Sequence, residues 1–304
     1  MHQQKVCILG GTGFVGRRVA SVLIGQGYRV SILTRHRERN RDMLVRPGMS
    51  IIGGDVYDPA TLDAQFHGAD VVINLVGILN SSLHENQQFL RAHVDLPELV
   101  LESMLRSGVR RLLHMSAAGA SAGGPSEYLQ TKGAAENLLN MRAMQGNYDI
   151  TIFRPSVIFG PGDSFTRRFA NLLRRIPVAF PLACPDSRLQ PAYIDDIAAC
   201  FASAVKIPGT FGQKYDLCGP RSYTLHEIVQ LIADTTGVNR HIIELSDGQS
   251  RLQATVMQWL PGKPFTPDNY KSLQVDSVCS TPFPGVFNIT PRAMEDTLSG
   301  YLNA

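Results

Sequence analysis

A short apolar stretch, KVCILG (5–10), runs straight into GGTGFVGRRVA, with glycines at 10, 11, 13 and 16. Both G-x-G-x-x-G and G-x-x-G-x-x-G spacings are satisfied. Each glycine has a physical reason to be there: a tight turn, a backbone that must approach a pyrophosphate, and close packing of a helix on a strand. An amphipathic segment follows. As a helix it offers unpaired N–H groups and the positive end of its dipole to phosphates. Gly10, Thr12, Gly13, Phe14 and Val15 are therefore the expected phosphate-side contacts. The alternative is a glycine turn that serves packing alone.

The segments that follow extend this start into a fold class. KVCILG (5–10), RVSILT (29–34), SIIGGD (50–55), DVVINLVG (70–77), RRLLHMS (110–116) and DITIFRP (149–155) are short, β-branched and apolar almost throughout. Strands buried on both faces of a parallel sheet read this way. Helical patterns occupy roughly 14–26, 59–66, 86–107 and 128–145 between them. Repeated β-α units imply an α/β, doubly wound parallel sheet of the Rossmann kind, with right-handed crossovers. After about Pro155, prolines and loops become frequent, and helical segments begin at Tyr193 and Thr224. The expected division is a dinucleotide-binding domain over 1–160, with a late strand near 212–218. A smaller, discontinuous substrate lobe then covers 161–304, including 176–191 and 221–304.

Composition narrows the partners. The formal charge is only +3 over 304 residues, so the basic run LTRHRERNR (33–41) is a local feature. The five cysteines are scattered, with no C-x-x-C and no Cys/His cluster. Neither a metal site nor a disulfide framework is suggested, and a reducing, cytoplasmic setting is expected. The chain enters a strand almost at once, which leaves no room for a signal peptide. No apolar run reaches the ~18 residues of a membrane span.

The basic run lies where a second strand would end beside an adenosine ribose. An NAD site usually places Asp or Glu there, accepting from the 2′-hydroxyl. Here the strand ends Thr34-Arg35, and Glu38 comes later among arginines. A guanidinium grips a 2′-phosphate bidentately and stacks on adenine. NADP(H) is expected over NAD(H), with Arg35 as first contact and Arg39 second. Arg37 and Arg41 read as a solvated face. No aromatic platform or second basic patch accompanies the run, so nucleic acid is not an expected partner.

Taken together, GGTGFVG, GDVYDP (54–59), INLVG (73–77), HMSAAGA (114–120), YLQTK (128–132), FRPSVIFGPGD (153–163) and LQPAYIDDIA (189–198) resemble the short-chain dehydrogenase/reductase superfamily. The pair FRPSVIFGPGD and QPAYIDDIA resembles its extended branch, which includes sugar-nucleotide epimerases. INLVGIL, SEYLQTKGAAE and RLQPAYIDDIA are similar to an atypical subgroup, the bacterial relatives of the nucleotide-binding accessory subunit of respiratory complex I. The resemblance implies that Asp55 and Val56 meet the adenine, that Leu75, Val76 and Gly77 run along the ribose, and that Pro155 to Ile158 approach the nicotinamide. It also implies two functions. One is an oxidoreductase or epimerase/dehydratase-like enzyme acting on a carbonyl or alcohol of unidentified structure. The other is a slow or non-catalytic nucleotide-binding module of a respiratory or quinone-related assembly, peripheral to the inner face of a membrane.

Tyr128 and Lys132 are the expected catalytic pair. Four residues apart on a helix, they share a face. An ammonium beside a phenol lowers its pKa and brings tyrosinate within reach of neutral pH. Lys132 can also donate to the nicotinamide ribose. Their alternative is an exposed tyrosine and a solvated lysine. The helpers depart from the superfamily pattern. The register that usually carries a substrate-orienting hydroxyl lands on Ala118, which leaves Ser116 as a cofactor neighbour. His93 stands where an asparagine is common, with a structural role and a proton relay both open. Asp195-Asp196 reads as a helix start and His114 as structural. Trp259 and Met257 read as packing residues. Arg167-Arg168 and Arg174-Arg175 would face anionic substrate, lipid headgroups or solvent.

Overall fold

The computed structural model describes residues 3–43, 47–79, 85–176, 178–261, 263–281 and 283–302. Residues 303 and 304 of the expected C-terminal lobe, and the Arg41 side chain, lie outside the described set. Contacts divide the chain into two compact units. The first comprises Met1–Ser116, Thr131–Arg154 and Ile197–Tyr215; the second comprises Ala117–Gln130, Pro155–Asp196 and Asp216–Ala304.

The first unit is built on strands β1 (Lys5–Leu9), β2 (Arg29–Thr34), β3 (Met49–Gly53), β4 (Val71–Asn74), β5 (Arg111–Met115) and β6 (Asp149–Pro155). A late strand, β11 (Gln213–Leu217), takes the edge beside β6, and the sheet order is β11-β6-β5-β4-β1-β2-β3. The β1–β2, β2–β3, β1–β4, β4–β5 and β5–β6 pairs are parallel. The order reverses at β1, so this is a doubly wound sheet whose switch point lies at β1 and β4. The continuous apolar runs have the cause that their pattern suggested: Val6 to Leu9 and Val71 to Asn74 are buried throughout.

Helices α1 (Phe14–Gly25), α2 (Pro59–Phe66), α3 (Glu85–Leu90), α4 (Leu96–Ser107) and α5 (Glu127–Met144) connect these strands. Leu62 and Phe66 of α2, Val100, Leu101 and Met104 of α4, and Leu139 of α5 share one core with the sheet. Local chemistry sets the helix ends. Asp58 accepts from the N–H groups of Ala60 and Thr61 ahead of Pro59, and Gly108 ends α4 with φ +72°. The segment 86–107, expected as one helix, is interrupted by a π turn at Arg91–Asp95. Pro97 has no N–H to donate and its ring crowds the carbonyl four residues back. The wider Leu96 N–H to Arg91 O bond replaces that turn of the ladder.

The second unit uses short pairings. β7 (Ile158–Phe159) pairs with β10 (Ala192–Tyr193), β9 (Arg188–Leu189) with β12 (Tyr223–Thr224), and β8 (Ala179–Leu182) with β13 (His241–Glu244). Its helices are α6 (Phe165–Arg175), α7 (Ile194–Ala204, shared with the first unit), α8 (Leu225–Thr236), α9 (Asp247–Met257), α10 (Pro267–Ser272) and α11 (Ser299–Leu302). A Thr224/Glu227 capping box starts α8, and Gly237 ends it in the left-handed region. Asp195 and Asp196 lie in the first turn of α7, as expected. Asp196 is in addition bound by the Arg292 guanidinium and backbone N–H at 2.8–3.0 Å.

Two expectations are corrected here. Cys218 and Cys279, 61 residues apart, are joined by a disulfide with their Cα atoms 6.0 Å apart. That pairing leaves no spacing signature in the sequence, because folding alone brings the two together. Trp259, expected to pack, is three-quarters exposed.

Candidate functional site

The turn after β1 is shaped by close approach. Gly10 has φ +75°, and a Cβ there would stand 2.9 Å from the carbonyl carbon of Leu75. A Cβ on Gly16 would fall 2.3 Å from Gly10 O, so the helix presses directly on the turn. At Gly13 an added Cβ would meet only Gly10 O, at 3.3 Å, which leaves its outer side open. Gly13 is the N-cap of α1, with no side-chain cap and no acid in the first turn. The first N–H groups of a helix have no partners within it. An open glycine side and an uncapped N-terminus therefore suit a pyrophosphate. Thr12 and Phe14 are half-buried beside them. Val15 is buried in the core, so its backbone is the part that can serve a ligand.

Arg35 follows β2 directly and is exposed. Arg37 and Arg39, also exposed, lie on a 3-10 helix over Arg37–Met43. Thr34 Oγ1 accepts from the His36 N–H at 3.3 Å. Arg17, which the sequence reading did not single out, ties this segment to the glycine turn. Its Nε donates to Thr12 O at 3.0 Å and its Nη2 to Asn40 Oδ1 at 2.7 Å. Beyond β3, Asp55 Oδ1 accepts from the Tyr57 N–H, and the Arg91 guanidinium lies 4.1 Å over the Tyr57 ring. Burial raises the Tyr57 phenol, against the opposing pull of Arg91 and Arg35. Val56 packs on the core, while Asp55 is exposed.

A buried polar cluster sits where β4 and β5 end. Leu75 is buried, and Val76 N–H is held by Asn74 Oδ1 at 3.1 Å. A Cβ on Gly77 would stand 3.3 Å from Lys132 Nζ and 3.6 Å from His93 Nε2, so a side chain there would press on the lysine. His93 lies on the π turn. Its Nε2 accepts from Ile78 N–H at 3.2 Å, which puts the proton on Nδ1, 2.9 Å from Thr131 Oγ1. Burial, then the Lys132 charge, lower its pKa to about 2. His93 is thus a neutral residue that holds the Gly77-Ile78 backbone. Lys132 is buried and donates to Met115 O at 3.0 Å. Burial lowers it to about 8, against the nearby Glu136 carboxylate. An ammonium carries three donors, so this bond leaves capacity for another acceptor.

Glu136, also missed from sequence, is the hub beneath Lys132. It is buried, forms a two-point pair with Arg154, accepts from Ser116 Oγ at 2.5 Å and lies 3.5 Å from Lys214 Nζ. The Ser116 hydroxyl is therefore engaged with Glu136.

In the second unit, the start of α5 is capped from a distance. Asp268 accepts from Glu127 N–H at 2.7 Å and from Tyr128 N–H at 3.4 Å. Burial raises the Tyr128 phenol to about 12, and the Asp268 charge acts in the same direction. This corrects the expectation that its surroundings lower that pKa. Ala118 contributes its backbone N–H to Pro155 O at 2.9 Å and no hydroxyl. Pro155 is buried at the end of β6, and Ile158 is half-buried in β7. Among the described residues, no group of three or more His, Cys, Asp or Glu is placed to hold a metal ion.

Comparison with known proteins places this geometry. The NAD dependent epimerase/dehydratase family matches residues 6–218. A mitochondrial NADH dehydrogenase [ubiquinone] 1 alpha subcomplex subunit 9 of Arabidopsis thaliana is 28% identical over 75% of the chain and 56% of its own length. The chain thus spans little more than half of that relative. The rat protein of the same name is 28% identical over 95% of the chain and 77% of its own. A ceramide reductase of Caulobacter vibrioides is 29% identical over 80% of the chain and 74% of its own. The UDP-glucose 4-epimerase of Thermus thermophilus in complex with NAD superposes with TM-score 0.69 at 19% identity, over 88% of the chain and 99% of that one. That last likeness shows the fold. The switch-point sheet, the open glycine turn and the family match agree: the chain belongs to the NAD dependent epimerase/dehydratase family, within the extended short-chain dehydrogenases/reductases, which bind a nicotinamide dinucleotide.

Proposed function

We propose that this protein is an NADP(H)-dependent oxidoreductase acting on a carbonyl or alcohol. The observation that carries the reading is the exposed Arg35 directly after β2, where a carboxylate would serve NAD. Gly10, Thr12, Gly13, Phe14 and Val15 would hold the pyrophosphate, and Arg35 with Arg39 the 2′-phosphate. Asp55 and Val56 would border the adenine and Leu75 to Gly77 the ribose, with Ser116, Pro155 and Ile158 further along the cofactor. The cofactor supplies or accepts the hydride. Lys132 would donate to the ribose. Tyr128, protonated at neutral pH, would give its proton to the carbonyl oxygen in the reductive direction. The likeness to a ceramide reductase supports this reading.

The alternative is a nucleotide-holding module with slow or no chemistry, associated with a respiratory assembly. It is favoured by Ala118, by the structural engagement of His93, and by the likeness to the mitochondrial subunits.

Calorimetry and single-turnover oxidation of NADPH test both readings. NADPH should bind more tightly than NADH, and Arg35→Asp should reverse or erase that preference; equal wild-type affinities would sink the NADP(H) assignment. With a panel of small carbonyls and quinones, Tyr128→Phe should lose ~10²–10⁴-fold in rate with cofactor affinity kept. Equal oxidation rates in wild type and variant would remove Tyr128 as the acid, and no oxidation by either would favour the module.

A further inference from the structure

Helix α9 buries one side and leaves the other bare. Ala254 and Ser250 are buried, and Ser250 Oγ accepts from Cys184 N–H at 3.1 Å. Leu252, Val256, Trp259 and Leu260 are 64%, 58%, 75% and 48% exposed. The helical turn continues past Met257, with Trp259 N–H on Val256 O and Leu260 N–H on Met257 O. The four residues therefore follow the i, i+4, i+7, i+8 spacing of a single face. Four large apolar side chains along one exposed ridge exceed the scattered apolar residues of an ordinary surface. Gln253 Nε2 reaches Pro181 O of β8 at 3.4 Å, and Ile243, opposite Pro181 in the β8–β13 register, is exposed as well.

The same unit carries a basic helix. Helix α6 carries Arg167, Arg168, Arg174 and Arg175, all exposed, and no acidic residue. Arg167, Arg168, Asn171 and Arg175 line a surface cleft of about 490 Å³. Asp163, at the same cleft, turns its carboxylate inward to Gly160 N–H and to the N–H and hydroxyl of Thr166. The Arg168 guanidinium donates to Pro264 O at 3.0 Å, which brings α6 against the segment just after Trp259 and Leu260.

We propose that this surface of the second unit docks onto an anionic phospholipid bilayer. Leu252, Val256, Trp259 and Leu260 enter the boundary between headgroups and acyl chains, and the α6 arginines take the lipid phosphates. A ridge of aliphatic side chains and a tryptophan flanked by cations is the arrangement of a helix lying in the interface plane. An indole also favours that depth. Negative headgroups complement four arginines that no acid on their helix offsets. Among the described residues, no helix is long and apolar enough to cross a membrane. The inference does not depend on cofactor choice or turnover.

Trp259 is the only tryptophan, so its emission reports on this surface alone. The full chain should co-sediment with vesicles of equimolar phosphatidylcholine and phosphatidylglycerol, with a blue shift of Trp259 emission. Pure phosphatidylcholine should bind it far less, and added salt should release it. Arg167→Glu with Arg168→Glu should weaken binding to the anionic vesicles by roughly tenfold or more. Leu252→Ser with Val256→Ser should weaken it comparably, with circular dichroism and cofactor affinity unchanged. Absence of co-sedimentation with anionic vesicles would overturn the proposal, as would binding indifferent to both pairs of substitutions. A blue shift that appears without lipid and tracks dimerisation in sedimentation velocity would overturn it in favour of a second copy of the chain.

Discussion

In the first unit, β1 and β2 pair over five positions, from Lys5↔Arg29 to Leu9↔Leu33; in the second, β7–β10 and β9–β12 pair over two. Each unit makes good what the other has in abundance by a different route. The sheet unit buries polar groups, with His114 in β5, His93 on the π turn, and Lys132 and Glu136 on α5. The second unit relies on pairs far apart in sequence: Cys218–Cys279, Asp196–Arg292, Asp268 on the start of α5, and the Tyr223 and Arg221 contacts with Glu295. Strand ladders come from periodicity and withstand single substitutions. Isolated long-range pairs concentrate stability in a few bonds. The sheet unit should therefore be sensitive to pH, and the second unit to the loss of single links.

The largest effect should come from acid. Burial lowers His93 to about 2 and His114 to about 3. With folded pKa values below the unfolded 6.5, each contributes stability that is complete above pH 6.5 and is lost as pH falls toward the folded value. At pH 5 the two together should cost about 4 kcal/mol relative to neutral pH. Urea unfolding across this range should show it, with hydrogen exchange rising first at β4 and β5. His93→Gln should halve the slope, and an unchanged slope would remove His93 as a cause.

The disulfide comes next. Closing a 61-residue loop is worth about 4 kcal/mol by chain entropy, and native bridges typically deliver 2–4 kcal/mol. Reduction, or Cys218→Ala with Cys279→Ala, should lower stability by about 3 kcal/mol. Exchange should rise around Ser156, Gln190 and Ser277 while β1 to β5 stay protected. Equal loosening of the sheet would erase the contrast between the units.

The smallest effect tests local against distant links within the second unit. Thr224→Ala removes the hydroxyl that accepts from Glu227 N–H at 3.1 Å and should cost about 1 kcal/mol, visible as a small shift in the urea midpoint. A loss equal to that of the disulfide would mean that α8, not the long-range bond, holds this unit.

The parts of the site that sequence made legible are those with a short-range cause. The glycine turn, the caps at Asp58 and Thr224, and the buried runs of β1 and β4 each follow from residues within a few positions of one another. The π turn had such a signal too, in Pro97, although the segment reads by its apolar spacing as one helix. Glu136 and Asp268 had none, because the groups they bind lie 18 to 141 residues away, and the Arg17 link to Asn40 spans 23 residues.

The sequence by itself determined the doubly wound sheet, the dinucleotide turn, the basic segment after β2 and the placing of Tyr128 and Lys132 on one helix, because hydrophobic period, glycine spacing and backbone geometry act locally. Only the tertiary structure decided that Cys218 meets Cys279, that Glu136 gathers Arg154, Ser116 and Lys214 under Lys132, that the Tyr128 phenol is raised to about 12, and that Trp259 faces outward. Burial and charge proximity are properties of the folded surroundings, and residues far apart in the chain supply them.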